Sequence, residues 1–169
     1  LQVLCLMLFG LFWHELGHAS AAYRYGCRQV EIGVGWYICF LVFYAELSET
    51  WRLRRQQRAI VDAAGMYFQL MFMAVLLLLL YYTNAAIFYW ALIFCNIALV
   101  WNLNPFIRMD GYWLASDLLG ISNLRQATHQ QYRQLWRKLC RLPMHSNSEL
   151  SAKSQRQLLY YSLFSTAFF

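Results

Sequence analysis

Residues 11–20, LFWHELGHAS, end an apolar run with two histidines and a glutamate. Leu1–Trp13 carries no charged residue, and the run continues as a helix to about Arg24. Ionisable side chains are costly at membrane depth, so their presence here indicates a functional site. His14 and His18 are four residues apart, and therefore lie on one face of a helix, one turn from each other.

The composition of the chain indicates an integral membrane domain. Of its 169 residues, 60% are hydrophobic and 13% are charged, whereas soluble domains have about 45–50% apolar and about 25% charged residues. Seven Trp, twelve Tyr and twelve Phe suit a protein at bilayer interfaces. The net charge of +6 is explained by basic loops, so no nucleic-acid partner is expected.

Three apolar segments predict membrane-spanning helices: the run from Leu1, Ala63–Tyr82 and Ala85–Phe106. The last two are close to the ~20 residues that a span needs. A fourth segment begins near Leu158 and is truncated, so we expect the full protein to be longer. Residues 33–45, GVGWYICFLVFYA, are short for a crossing and rich in β-branched and aromatic residues. They predict a strand pair or a re-entrant element that protein must cover.

The expected fold is therefore a mainly α membrane protein. Its core has three transmembrane helices, with the short re-entrant or β element between helices one and two, and a truncated fourth helix follows. The expected divisions are a membrane-embedded core at 1–125, a basic segment at 126–156 and the start of a further helix at 157–169. The scattered cysteines contain no CxxC pair and are expected to be free thiols: Cys5, Cys27, Cys39, Cys95 and Cys140.

The loops predict the orientation in the membrane. The connection 20–62 holds six arginines, residues 108–156 hold eight basic groups against three acidic ones, and the turn between segments two and three is uncharged. This follows the positive-inside pattern, which places the two histidines at the cytoplasmic side of a multi-pass membrane protein. Residues 121–142 predict a basic amphipathic helix on the cytoplasmic leaflet. The alternative is a solvated helix that packs on a partner domain.

His14, Glu15 and His18 form the H-E-x-x-H arrangement. Two imidazoles one turn apart can reach one Zn²⁺ at about 2.0–2.1 Å. Glu15 flanks the same face, where it could act on a water molecule without being a ligand. Gly17 keeps the helix surface low and could let a substrate backbone approach. The alternative is a pair of satisfied polar residues in a contact between helices.

A hydrolytic zinc site needs a third protein ligand and one open position. Asp110 is best placed, because Pro105 breaks the third helix and Gly111 frees the backbone after the acid. Asn102 and Asn104 precede this break and are candidates to donate to an oxyanion, or otherwise cap the helix end. The other candidates for the third ligand are Glu31, Glu46, Glu49, Asp62, Asp117, His129 and His145.

HELGH and the later stretch NLNPFIRMDG resemble the site-2 protease family of intramembrane zinc metalloproteases, over roughly residues 8–125. The N-x-x-P-x-x-x-x-D-G spacing of that family is matched at Asn102, Pro105, Asp110 and Gly111. The resemblance implies one zinc per chain, bound by His14, His18 and Asp110, with Glu15 as the general base. FYAELSETWRL, DAAGMYFQL and NPFIRMDGYWLASDLLGISNLR are similar to bacterial proteins described as peptide zinc metalloproteases, found with peptide-maturation and export systems. This similarity implies a bacterial inner membrane and components of a peptide exporter as partners.

Two departures from the family pattern bear on substrate contacts rather than on the metal site. Phe106 and Ile107 stand where a second proline is often seen, and Gln69 replaces an asparagine. The expected function is a zinc endopeptidase that cleaves a peptide or membrane-protein precursor, within the membrane or at its cytoplasmic face. A helical substrate must unwind, and the 33–45 element could offer it a strand edge.

Three other functions remain as alternatives. The main one is a non-catalytic zinc-binding component of a peptide exporter, and the intact Glu15 argues against it. A di-iron oxidase needs more histidines than the four in this chain. A zinc transporter would need further polar residues along the second and third segments.

Overall fold

The computed structural model describes residues 1–37, 40–121, 123–139, 158 and 161–162. This part of the chain is mainly helical, as predicted, with five α-helices and one small sheet. The elements are α1 (Gln2–Arg24), β1 (Ile32–Tyr37), β2 (Phe40–Ala45), a 3₁₀ helix (Ser48–Arg52), α2 (Arg55–Thr83), α3 (Ala86–Asn102), α4 (Asp110–Leu119) and α5 (Leu124–Leu139). The chain divides into two units, Leu1–Ala115 and Ser116–Phe169.

Two helices among the described residues are long and apolar enough to cross a membrane. They are α1, with 23 residues, and α2, with 29 residues, while the apolar α3 has only 17 residues. Large apolar side chains on α2 and α3 are at least half exposed, among them Leu70, Val75, Leu78, Ile97 and Val100. An exposed apolar surface of this kind is typical of one that contacts lipid or another protein.

Helix boundaries differ from the prediction at two places. α2 begins at Arg55 rather than at Ala63, because polar residues extend the helix before the apolar run starts. The Gln57 side chain accepts the N–H of Arg54 over 3.0 Å and caps this start. α3 ends at Asn102 rather than at Phe106, since Pro105 lacks an N–H and disfavours helical geometry in the preceding residue.

Helices α1, α2 and α3 share one apolar core. Its buried residues are Phe72, Leu76, Ala91 and Cys95, and Trp13 of α1 packs against them. Within this core the Gln69 side chain donates to the Cys95 carbonyl over 3.0 Å, which ties α2 to α3. Cys5, Cys27 and Cys95 are free thiols, as predicted; Cys39 and Cys140 lie outside the described residues.

A β-hairpin occupies the 33–45 region, one of the two forms predicted for it. β1 and β2 are antiparallel, with Ile32 opposite Ala45 and Val34 opposite Phe43. The N–H of Glu46 donates to the Glu31 carbonyl over 2.8 Å. Because hydrogen-bonded and non-hydrogen-bonded pairs alternate, the N–H and C=O groups of Phe43 and Ala45 point to the outer edge of β2.

Helix α5 belongs to the second unit. It buries Leu124 and Thr128, and the Tyr132 hydroxyl donates to the Ser162 carbonyl over 2.5 Å. Helical spacing places Trp136 one turn after Tyr132, but its side chain is exposed. The placement of this basic helix on a membrane leaflet stays a prediction, as do the divisions at 125 and 156. Most of the fourth apolar segment lies outside the described residues.

Candidate metal centre

His14, His18 and Asp110 bring one ligand atom each to a common point. Nε2 of His14 lies 2.8 Å from Oδ2 of Asp110 and 3.1 Å from Nε2 of His18. Nε2 of His18 lies 3.5 Å from the same carboxylate oxygen. Tetrahedral zinc with bonds of about 2.0–2.1 Å has ligand–ligand distances of about 3.3 Å. The three spacings bracket that value, so the donor set fits a zinc ion.

Two separate parts of the first unit supply these ligand atoms. α1 carries both histidines on one face, and Asp110 is the first residue of α4, after the chain has left α3. Trp113, one turn further along α4, meets the ring of Trp51 edge-on at 6.1 Å. The guanidinium of Arg58 stands 5.3 Å from the Trp51 ring centre. These contacts connect the start of α4 to the segment before α2 and help to fix Asp110.

The two histidines differ in how their second nitrogen is held. Nδ1 of His18 lies 2.8 Å from the Val61 carbonyl of α2 and donates to it, which leaves the lone pair on Nε2 for a metal. Nδ1 of His14 is buried and has no hydrogen-bond partner among the described residues. Only His18 therefore has a second partner in this part of the chain that fixes its tautomer.

Asp110 forms the open side of the site. Its side chain is 25% exposed, against 6% for His14 and 4% for His18. Burial opposes ionisation of Asp110, but the hydrogen bond with His14 and the nearby His18 ring outweigh it and hold the pKa of the carboxyl well below its usual range. Asp110 is therefore a carboxylate at neutral pH, the form that binds a metal.

Three glycines near the site lie at contacts too close for a larger residue. A Cβ on Gly65 of α2 would fall 2.7 Å from ring carbons of His18. A Cβ on Gly17 would lie 2.5 Å from the Ala64 carbonyl oxygen, so Gly17 serves the contact between α1 and α2 rather than substrate approach. A Cβ on Gly111 would lie 2.5 Å from the Leu103 carbonyl carbon. Close packing, rather than backbone freedom, therefore explains Gly111.

Glu15 lies beside the three ligand atoms and is not one of them. Its Oε2 accepts the N–H of Ala45, at the end of β2, over 2.9 Å. Glu15 directly follows His14 on α1 and precedes His18 by three residues. The predicted base thus stands next to the predicted ligands, and one of its oxygens is held by the hairpin.

The remaining predicted residues do not join this group. Asn104 accepts the Phe106 N–H through Oδ1 over 2.9 Å and closes the turn after α3, while Asn102 is the half-buried last residue of α3. Within the described chain, the metal-binding group contains no other candidate for the third ligand. His129 and Asp117 belong to the second unit, and His145 lies outside the described residues.

Sequence reasoning missed three groups around the site: the Val61 carbonyl, Gly65 and the Ala45 N–H. Gly65, in the word DAAGMYF, offered the one usable signal, because a glycine inside an apolar helix often marks a close contact. Backbone groups carry no side-chain signal, so nothing in the sequence pointed to the other two.

Comparisons with known proteins agree with a zinc metalloprotease-like relationship. No family model matches the chain, and no solved structure matches it. Over 122 residues the chain is 27% identical to "Putative peptide zinc metalloprotease protein YydH" of Bacillus subtilis (strain 168), in a match covering 70% of this chain and 48% of that protein. The chain thus spans about half the length of this curated relative. Its similarity to a protein with that name, together with the His14, His18 and Asp110 group, suggests zinc as the metal.

Proposed function

We propose that this chain holds the catalytic core of a zinc-dependent endopeptidase of the site-2 protease type. The observation that carries the proposal is the convergence of His14, His18 and Asp110, with Glu15 next to His14 on α1. Two imidazoles and one carboxylate leave a fourth position open, the arrangement of hydrolytic rather than structural zinc sites. When bound, the zinc would polarise the scissile carbonyl and lower the pKa of a water molecule.

Glu15 performs the proton transfers in this proposal. It takes a proton as water attacks the carbonyl carbon, and returns it to the nitrogen as the C–N bond breaks. Asn102 and Asn104 remain candidates to donate to the developing oxyanion. Asn104 keeps its amide nitrogen for this purpose, because its hydrogen bond with Phe106 uses the oxygen.

We propose further that the protein is a multi-pass protein of a bacterial inner membrane, with the site toward the cytoplasm. The exposed apolar faces of α2 and α3 support this. Exposed aromatic residues occur at both ends of these helices, as in the interfacial belts of membrane proteins. They are Tyr81, Tyr82, Tyr89 and Trp90 at one end, and Trp51 and Trp101 at the other. Arginines 52, 54, 55 and 58 accompany Trp51, which favours the cytoplasmic side.

The substrate in this proposal is a membrane-associated protein or peptide precursor that is cleaved in an extended form. The outer edge of β2 supports this, because the N–H and C=O of Phe43 point outward at that edge. Phe43 lies two residues from Ala45, whose N–H binds Glu15. Backbone pairing of a substrate strand with such an edge is a common mode of peptide recognition. The bilayer and components of a peptide exporter are the other partners that we propose.

Metal content and cleavage together test the function. Purified full-length protein should carry about one zinc per chain, and Asp110→Ala should lose most of it. Glu15→Gln should retain zinc but lose cleavage of a precursor peptide, and Glu31→Gln, outside the metal group, should keep both. Absence of zinc from the folded native protein would remove the proposal. Zinc without cleavage in the native protein would favour the non-catalytic exporter component.

A further inference from the structure

The hydrogen bond between Glu15 and Ala45 joins α1 to the hairpin at the candidate base. It measures 2.9 Å from the Ala45 nitrogen to Oε2 of Glu15. A second contact lies one helical turn earlier on α1, where the rings of Phe12 and Phe43 meet edge-on at 5.7 Å. The side chain of Phe12 and the carboxylate of Glu15 therefore reach the same strand, two residues apart along it.

The Ala45 N–H takes no part in the pairing between β1 and β2. Its neighbour Glu46 donates inward to Glu31, so the Ala45 N–H is directed outward, away from β1. An outward donor at a strand edge would ordinarily be met by water or by another strand. Here a carboxylate from α1 meets it instead.

We propose that the backbone N–H of Ala45 positions the catalytic carboxylate, so that docking of the hairpin on α1 and orientation of Glu15 are one event. This inference rests on the proposed function, because it needs Glu15 to be the base. With Oε2 held by the strand, Oε1 is the oxygen left to take the proton from water. A hairpin that moves away from α1 would leave the carboxylate free to rotate away from the metal centre.

The same contact limits where a substrate strand can pair. Since Glu15 occupies the outward N–H of Ala45, pairing along β2 is complete only as far as Phe43. Among the described residues, none accepts a hydrogen bond from the outward N–H of Phe43. The substrate segment beyond that pair runs for about two residues, roughly 7 Å, beside Glu15. The bond to be cleaved lies in this segment.

Ala45→Pro is the direct test, because proline removes this N–H and no hydrogen bond between β1 and β2. Proline is tolerated at an edge where the missing N–H faces outward. We expect kcat to fall about 10- to 100-fold, less than the roughly 10²- to 10⁴-fold that complete loss of the general base would cost, with KM and zinc content near native values. Ala45→Val keeps the N–H and should keep kcat within about twofold of native. A native kcat in a zinc-loaded Ala45→Pro protein would overturn the inference.

Hydrogen exchange at the Ala45 amide gives a second readout that does not depend on turnover or on the folding of the proline variant. Glu15→Ala should speed exchange at Ala45 about tenfold or more, while the Glu46 amide, bonded to Glu31, should exchange as in the native protein. Unchanged exchange at Ala45 would overturn the positioning role and leave the proposed peptidase intact. A third outcome combines faster exchange at Ala45 in Glu15→Ala with a native protein that binds zinc but cleaves no peptide. It would overturn the proposed peptidase, and the positioning role with it.

Discussion

The two halves of α2 differ in what surrounds them. Near its start the helix brings its backbone against α1, where Gly65 borders the His18 ring and the Val61 carbonyl accepts a hydrogen bond from Nδ1 of His18. Near its end Leu77, Leu78, Tyr81 and Tyr82 are exposed, and Leu76 alone among residues 76–82 is buried. The first half depends on individual atoms, whereas the second, apart from the core residues Phe72 and Leu76, needs only to be apolar. Substitutions should therefore have large effects on the site in the first half and small ones at the exposed positions of the second.

Among these substitutions, Gly65→Ala should have the largest effect, which is a loss of zinc affinity. The added methyl would overlap the ring of His18, and because His18 is a proposed ligand, the metal centre would have to shift. We expect zinc affinity to fall about 100-fold or more, at or beyond the upper end of what loss of a ligand-orienting contact costs. Competition with a zinc chelator measures it. Leu78→Ala, in the exposed half, is the matched control and should bind zinc normally; equal affinities in both variants would contradict the comparison.

Gly17→Ala should destabilise the protein more than Gly10→Ala does. At Gly17 the new Cβ would meet the backbone oxygen of Ala64 at 2.5 Å, and at Gly10 it would meet the Phe72 ring at 2.9 Å. A ring can turn aside, but a helix backbone cannot without separating α1 from α2. We expect Gly17→Ala to cost about 1–3 kcal/mol, the usual range for overpacking. Thermal unfolding in detergent gives the order, and the reverse order would contradict the argument.

Gln69→Leu tests a polar contact in the middle of α2. It removes the hydrogen bond to the Cys95 carbonyl, but it also removes Oε1, a buried acceptor with no hydrogen-bond partner among the described residues. The two effects oppose each other, so we expect a net loss of about 0.5–1 kcal/mol. The unfolding midpoint measures it, with Leu70→Ala on the exposed face as control. A gain in stability would show that the unpaired oxygen outweighs the bond.

Glu49→Gln should have the smallest effect, a pH-dependent loss of stability in the 3₁₀ helix before α2. Hydrogen bonds from the N–H groups of Gln29 and Arg28 hold the pKa of its carboxyl below the ordinary value. A lowered pKa means that the stabilisation is complete above the unfolded value of 4.5 and is lost as the pH falls through the folded value. Native protein should therefore exceed Glu49→Gln in stability at neutral pH, and the difference should shrink below about pH 4.5. A difference independent of pH would exclude Glu49 as its source.

Local patterns predicted much of the fold and the candidate ligands. The apolar runs and the break at Pro105 are local signals, and the spacing of His14 and His18 places both on one helix face. Asp110 was favoured because it follows that break. The start of α2 was missed by eight residues, since its first turn, RQQR, is polar and Asp62 interrupts the apolar pattern just before Ala63. The contacts of Val61, Gly65 and Ala45 with the site arise from packing between elements, which no local pattern records.

The separation of 96 residues between His14 and Asp110 affects the order of assembly. Both histidines leave the ribosome before the carboxylate, which follows only after the hairpin, α2 and α3 have been made. A nascent chain that stops anywhere before α4 therefore offers two nitrogen ligands and no third. On the proposed function, a half-made chain cannot cleave the peptides around it, and the enzyme matures only when its last core element is in place.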